Sequence, residues 1–374
     1  MQAKKRIMAQ FNYAKKIAQL LQIDPSDVFL YRKGRIGLYV LLRALDVKPG
    51  DEVILSAYTC RVVANTILSL GAKPIYADIR EETFTIDLKS IQALKTSKTK
   101  IIISQNTFGL SYGVDEIDKW ARENHIIHIE DCAHGFGGSF HKKPNGRKCD
   151  AAFYSTHFSK PFNTGIGGIL IVNNSMIKEK VINVNTTIKD APLFDSILLP
   201  ILYYWQEHKV LHIISHAIWK VLSLYNKYKI HNEDNFNREI IAFASIKQIK
   251  YGLSKIDNIP RLNSIRKQQA ENYSRFLKCN HKLFVSDYLK DDHLFLYYPI
   301  LVRDKFKVLK LAKHAGVNVN GMFTIKQHPE QFGIDYAHLP VTVYVSKHLI
   351  NLPTSSIENS TAIAFLNLIY EEIL

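Results

Sequence analysis

From about residue 34 to residue 174, segments with helical periodicity alternate with short apolar segments typical of strands. The helical pattern at 36–46 precedes the apolar triplet 53–55, and the pattern at 61–70 precedes 73–77. The alternation continues through 88–95, 101–103, 114–124 and 126–130. It predicts βαβ units, and therefore an α/β fold with a mostly parallel central sheet and helices on both faces. In such sheets ligands bind beyond the carboxyl ends of the strands.

The rest of the chain divides differently. Residues 175–278 are mainly helical with a polar break at 230–238, and from about 283 short strands (297–302 and 317–320) mix with helices. We therefore predict a large α/β domain over 1–255 and a smaller C-terminal α+β domain over 256–374. The segment 192–225 is predicted to be an apolar helical insert in the large domain.

The charge and the cysteines narrow the possible functions. Lysine and arginine exceed aspartate and glutamate by 49 − 34 = +15. This excess indicates a solvated basic surface or the attraction of an anionic small molecule. Nucleic-acid binding is not expected, because no helix-turn-helix, zinc-finger or RNA-binding motif is present. The four cysteines are scattered and show no metal-ligand spacing, so we expect no metal site and a reducing, cytoplasmic location.

The insert leaves two interpretations open. Its longest uncharged run, Ser196 to Gln206, is far shorter than the roughly 20 residues that span a bilayer. Burial in a dimer interface or beneath the small domain is one interpretation. The other is weak contact with a membrane surface through 192–225, with Trp205 and Trp219 at the boundary.

Two predicted strand ends carry candidate chemistry. In IIHIEDCAHGFGG an apolar strand ends at Glu130 and Asp131, and in AAFYSTHFSKPFNTGIGG a strand ends near Ser155 before a loop with Lys160. Taken singly, an acid at a strand exit usually caps a turn, and a loop lysine is usually exposed.

Taken together and in order, these segments resemble a known family. GRIGLYVLLRALDVKPGDEVILSAYTC, GAKPIYADI, HIIHIEDCAHGFGG and SKPFNTGIGG resemble the DegT/DnrJ/EryC1/StrS sugar aminotransferases. The resemblance implies the aspartate aminotransferase type I fold and pyridoxal 5'-phosphate as cofactor. It also implies that Lys160 holds the cofactor covalently and moves a proton, and that Asp131 pairs with the pyridine nitrogen.

The resemblance further implies a phosphate site. It places a turn at Gly34, Arg35 and Ile36, whose backbone amides and arginine charge would bind the phosphate at a helix N-terminus. Ser155, five residues before the lysine, would add a hydroxyl donor. Asn237 and Arg238 resemble a segment that reaches the phosphate of a partner subunit, although a helix N-cap is an equally good interpretation.

Several positions depart from the family pattern. His134 replaces a glutamine and is expected to contact the cofactor. Cys60 replaces an aromatic residue that stacks on the ring, and either Tyr58 or His134 could compensate. Asn106 replaces a histidine, and Met322-Phe323 replace a histidine-tyrosine pair near the acceptor.

The function implied is transfer of an amino group to a keto sugar, with or without a linked nucleotide. Glutamate is the expected donor, the expected assembly is a homodimer with its sites at the interface, and the product would serve polysaccharide, lipopolysaccharide or glycoside synthesis. A sugar dehydratase and a non-catalytic binding protein on the same fold are the alternatives. Retention of Lys160 argues against the dehydratase.

Overall fold

The computed structural model describes most of the chain. The described residues are 2–193, 195, 199, 236, 240–280, 293–321, 336–355 and 359–374. The predicted insert at 192–225 therefore lies almost wholly outside the described residues, and so does the idea of membrane contact through it. Within the described part, no helix is both long enough and apolar enough to cross a bilayer.

The first two-thirds of the chain alternates helices and strands, as the apolar pattern predicts. The helices are α1 (Gln2–Leu21), α2 (Gly34–Ala44), α3 (Arg61–Leu68), α4 (Leu88–Leu94), α5 (Val114–Glu123), α6 (Ser175–Asn185) and α7 (Ile246–Lys255). The strands are β1 (Val28–Tyr31), β2 (Glu52–Ser56), β3 (Lys73–Ala77), β4 (Thr99–Gln105), β5 (Ile127–Asp131), β6 (Ser139–Phe140), β7 (Lys143–Pro144), β8 (Ala151–Ser155) and β9 (Gly168–Val172).

Seven of these strands form one sheet in the order β1-β9-β8-β5-β4-β2-β3. The five strands from β8 to β3 are parallel, whereas β9 runs antiparallel to both β8 and β1. The predicted α/β fold with a mostly parallel sheet is therefore confirmed. Because β9 returns beside β8, the end of β8 and the start of β9 share one edge, and Ser155 pairs with Gly168 there.

Alternate side chains of the strands enter different cores, which is why the sheet has helices on both faces. Ile101 and Ile103 of β4 pack in a cluster with residues of α2, α3 and α6. The intervening Ile102 packs on the other face with residues of α4 and α5. Near β8 and β9 this second face is covered by α1 and α7.

The C-terminal part is built on a long helix and a two-stranded antiparallel sheet. It contains α8 (Ile259–Cys279), β10 (Tyr297–Leu301), α9 (Lys305–His314), α10 (Pro340–His348), β11 (Leu349–Pro353) and α11 (Asn359–Leu368). Its apolar cluster also contains Tyr58 and Phe108 from the first part. The domain boundary between 255 and 256 stays a prediction.

One predicted strand is absent. The segment 317–320 forms a single bridge, in which Asn320 and Asn351 exchange backbone hydrogen bonds of 3.3 and 2.8 Å. One reciprocal pair does not make a ladder, so the β-branched residues Val317 and Val319 serve in packing instead.

The start of α2 is held against β9 by a glycine. A Cβ atom on Gly168 would lie 2.3 Å from the carbonyl carbon and oxygen of Lys33 and 2.4 Å from the nitrogen of Gly34. Since these are backbone atoms, no side-chain movement relieves the clash. Gly168 therefore sets how closely the N-terminus of α2 approaches the edge where β8 ends.

Replacing Gly168 with alanine should push α2 away from β9. We expect Gly168→Ala to lower the free energy of unfolding by about 2–3 kcal/mol, the usual cost of overpacking. Gly316→Ala is the control, because its φ of +69° strains alanine but nothing lies within 4 Å of the new atom. Urea denaturation should show a loss of only about 1 kcal/mol for the control. Equal losses in the two variants would contradict the steric argument.

Candidate active site

Several candidate residues meet at one edge of the sheet. Strands β4, β5 and β8 are parallel and end at Gln105, Asp131 and Ser155. The loop from β8 to β9 leaves from this edge and returns to it, and it carries Lys160. The topology thus brings together residues far apart in the sequence, at the place where open α/β sheets bind ligands.

Lys160 lies in a loop with its own backbone hydrogen bonds. The Lys160 amide donates to the His157 carbonyl at 2.9 Å, and the Thr164 amide donates to the Thr156 carbonyl at 2.8 Å. Removal from water lowers the pKa of Lys160, while Cys60 and Asp131 oppose this shift. Lys160 therefore lies within electrostatic reach of both groups, and its amine loses its proton more readily than that of an exposed lysine.

Asp131 is buried at the end of β5, where its Oδ1 accepts a hydrogen bond from the Ala133 amide at 2.9 Å. Burial raises the pKa of this carboxyl to about 6, opposed by the Ala133 hydrogen bond and by Lys160. The charged form of a carboxylate that is buried in this way is stabilised when a second cation faces it. The site thus contains an acid and an amine whose pKa values are shifted towards each other.

Glu130, the residue before Asp131, supplies a second buried carboxyl, and the sequence analysis gave it no role. Glu130 accepts hydrogen bonds from the Asn106 side chain at 2.6 Å and from the Gly146 amide at 2.7 Å. Burial raises the pKa of Glu130. The backbone amide of Asn106 also donates to the backbone carbonyl of Asp131 at 3.0 Å, so Asn106 contacts both residues. The available signal in the sequence was the pair of adjacent acids at the end of a strand. Neighbouring strand residues point to opposite faces of the sheet, so the two acids lie in different surroundings.

Of the two residues expected to compensate for Cys60, His134 interacts electrostatically with Lys160. Burial and Lys160 hold the pKa of His134 well below its usual value, so the ring is neutral. Its Nδ1 accepts from the Phe108 amide at 3.3 Å. The ring of Tyr58 is fully buried in the C-terminal cluster and meets the edge of Phe108 with centroids 6.2 Å apart. This arrangement favours His134 over Tyr58 as the ring contact, which stays a proposal.

The predicted phosphate turn forms the N-terminus of α2. The N-cap residue, Lys33, makes no side-chain capping hydrogen bond. An added Cβ on Gly34 would lie 2.9 Å from the Tyr154 carbonyl oxygen and 3.2 Å from the Cβ of Ser155, so the turn lies directly beside Ser155. The Ile36 amide already donates to the Lys33 carbonyl at 3.1 Å, and the Ile36 side chain is buried in the core.

Positive charges converge on this helix start. The pKa of His157 is lowered to about 4, first by burial and then by Lys160, Arg35 and Lys33. No acid contributes to that shift. Cations, a helix N-terminus and a hydroxyl are the donor set that binds an anion such as phosphate.

Other predicted positions lie outside the described residues. These are Asn237, Arg238, Met322 and Phe323. Among the described residues, no three His, Cys, Asp or Glu side chains are grouped so as to hold a metal ion.

Comparison with known proteins indicates the class of protein. The model of the DegT/DnrJ/EryC1/StrS aminotransferase family matches residues 31–190. The spore coat polysaccharide biosynthesis protein SpsC of Bacillus subtilis is 25% identical over 332 residues, which cover 84% of this chain and 77% of SpsC. GDP-perosamine synthase of Caulobacter vibrioides is 32% identical over 148 residues, 40% of each chain. The crystal structure of NtdA from Bacillus subtilis with bound cofactor PMP aligns with a TM-score of 0.70 at 20% identity, over 98% of this chain and 82% of that one.

The fold is that of the pyridoxal phosphate-dependent aminotransferases. Residues 31–190 match the DegT/DnrJ/EryC1/StrS aminotransferase family, and this likeness indicates a transaminase with pyridoxal phosphate as cofactor. The residues at the sheet edge fit this cofactor. They supply an amine of lowered pKa, a buried carboxyl suited to a cationic ring nitrogen, and a helix start with cations beside it, which suits a phosphate.

The pKa of Asp131 has a consequence for stability without the cofactor. Burial raises the pKa of Asp131 to about 6 in the folded protein, whereas the pKa of an unfolded aspartate is near 3.8, so ionisation between these pH values weakens the fold. We expect Asp131→Asn to stabilise the cofactor-free protein by about 2 kcal/mol at pH 7.5. The gain should shrink as the pH falls towards 4.

Urea denaturation of the cofactor-free protein at pH 7.5 and 4.5 measures this difference. Glu123→Gln is the control, because it removes an exposed carboxylate from α5. Its effect should stay within about 0.5 kcal/mol at both pH values. A loss of stability in Asp131→Asn at pH 7.5 would contradict the burial argument.

Proposed function

We propose that this transaminase moves an amino group from glutamate to a keto sugar, and so produces an amino sugar. The observation that carries the proposal is the electrostatic pairing of Lys160 with Asp131 beside the cation-rich start of α2. Bound pyridoxal phosphate supplies the electron sink that amino-group transfer requires.

Lys160 is proposed as the catalytic residue. Its Nζ, with a lowered pKa, is suited to hold the cofactor and afterwards to accept a proton from one carbon atom and return it to another. Because Lys160 sits in a hydrogen-bonded loop, its amine returns to the same position between these steps. A lysine on a mobile loop would lose this orientation.

The other residues are proposed to hold the cofactor. The carboxylate of Asp131 keeps a proton on the pyridine nitrogen, because the ion pair stabilises the charged ring in a buried place. Gly34, Arg35, Ile36 and Ser155 are assigned to the phosphate, with Ile36 the weakest donor because its amide already serves the helix. His134, neutral and buried, is assigned to contact the ring.

The sugar assignment rests on the relatives. Their names describe GDP-perosamine synthesis and spore coat polysaccharide biosynthesis. The net charge of +15 suits an acceptor that carries phosphate, such as a nucleotide-linked sugar. We therefore propose a role in polysaccharide, lipopolysaccharide or glycoside synthesis.

We further propose a cytoplasmic homodimer with its active sites at the subunit boundary. The scattered, unpaired cysteines suit a reducing compartment such as the cytoplasm. Asn237 and Arg238 would then contact the cofactor phosphate of the partner.

The test follows the cofactor on the purified protein. Addition of pyridoxal phosphate should give the visible absorbance of a lysine-linked cofactor, and glutamate should bleach it. Borohydride reduction and peptide mapping should place the adduct on Lys160. In Lys160→Ala we expect no adduct and a loss of turnover of at least about 10³-fold. Lys313→Ala, an exposed lysine on α9, is the matched control and should behave as the parent.

The outcomes separate the candidate functions. Absorbance that glutamate cannot bleach would favour the dehydratase or another donor. Failure to bind the cofactor would overturn the enzyme proposal and favour a binding protein on the same fold. If bleaching succeeds, nucleotide-linked keto sugars can be screened as acceptors by recovery of the absorbance.

A further inference from the structure

A buried arginine on α8 contacts the loop that carries Lys160. Arg266 is 6% exposed. Its Nη2 donates to the Pro161 carbonyl at 3.1 Å, and its Nη1 donates to Oδ1 of Asn263 at 3.0 Å. Pro161 directly follows Lys160 and has no amide hydrogen of its own, so its carbonyl is its only backbone hydrogen-bonding group.

Asn263 ties the same helical turn to a second loop. Its Nδ2 donates to the Gly137 carbonyl at 2.9 Å. Gly137 has a φ of +82°, and an added Cβ would lie 2.7 Å from both Asn263 Nδ2 and Ile259 Cγ2. Gly137 ends the short turn that follows β5 and includes His134. One turn of α8 thus holds both active-site loops.

The stability of the fold gives no reason for an arginine here. No carboxylate acts on the Arg266 guanidinium among the described groups, and its Nε has no hydrogen-bond partner in that part of the chain. Loss of hydration lowers the pKa of Arg266 to about 10, so the charged form is disfavoured. Burying an incompletely paired charge costs free energy that an apolar side chain of similar length would avoid.

We infer that Arg266 is a positioning residue, which fixes the Lys160 loop through the Pro161 carbonyl while Asn263 fixes the turn after Asp131. A guanidinium suits this task, because its planar group reaches the carbonyl and the Asn263 side chain at once. Together, the contacts of Arg266 and Asn263 set the separation between the Lys160 amine and the Asp131 carboxylate. Only the kinetic test of this inference rests on the proposed function.

The first experiment needs neither cofactor nor substrate. Amide hydrogen exchange of the cofactor-free protein reports the loop hydrogen bonds of Lys160 and Thr164. In Arg266→Met we expect these amides to exchange about tenfold faster, while the amides of β2 and β4 keep the parent rate. Arg261→Met is the matched control, because Arg261 lies exposed on the same helix. It should leave the loop unchanged.

The second experiment separates positioning from a general structural role. In the transaminase assay, Arg266→Met should lower kcat at least tenfold with little change in KM for glutamate. Guanidinium ion added to Arg266→Ala should restore part of the lost rate, and Arg266→Lys should be intermediate. The lysine variant also serves if the methionine variant does not fold.

Two results would overturn the inference. The first is parent-like exchange in residues 157–165 of a folded Arg266→Met or Arg266→Lys variant. The second is a loss of rate that guanidinium does not relieve and that follows the melting temperature. If the parent itself does not transfer an amino group from glutamate, the proposed function fails, while the exchange result still decides the role of Arg266.

Discussion

The site depends on the antiparallel return of β9 beside β8. The pairing of Ser155 with Gly168 closes the loop of Lys160, and the bare Gly168 lets the first turn of α2 approach the same edge. Parallel strands alone would place Asp131 and Ser155 there. Only the return of the chain adds the lysine and the helix start, so one local pairing unites the amine, the carboxyl and the anion-binding turn.

Electrostatics at this edge favours function over stability. Burial shifts the pKa values of Asp131, Glu130, Lys160 and Arg266 towards their neutral forms. Such groups cost free energy in the folded protein unless a partner arrives. In the proposed site, the ring nitrogen of the cofactor would pair with Asp131, and its phosphate would lie beside the cations at the start of α2.

Much of the fold could be predicted because its signals are local. The apolar runs at 53–55 and 101–103 fall inside observed strands, and the alternation of helices and strands determines the class of sheet. The pairing of β1 with β9 could not be predicted, because it joins segments about 140 residues apart in the sequence, such as Tyr31 with Gly168.

The site shows the same division. Asp131, Ser155 and Lys160 lie in motifs whose order in the sequence indicates that the three residues come close together in the fold. Their individual roles stay predictions. Arg266 stands in a basic helix among other lysines and arginines, and nothing in RLNSIRKQQ distinguishes it. Its contact with Pro161 depends on the tertiary packing of α8. A residue whose role depends on a hydrogen bond to a residue distant in the sequence leaves no local sequence pattern.

Helix α8 serves two cores. Its N-terminal half holds the active-site loops, while its C-terminal half is anchored in the small-sheet cluster, where the Tyr273 hydroxyl donates to the Pro353 carbonyl at 2.8 Å and Ser274 pairs with Tyr298 at 2.7 Å. An α-helix turns by about 100° per residue. Insertion or deletion of one residue between Arg266 and Tyr273 would therefore rotate one set of contacts away from its core. The number of residues between the two sets of contacts is therefore fixed by both ends of the helix, and a change of chain length would leave both sets undisturbed only in the loops outside it.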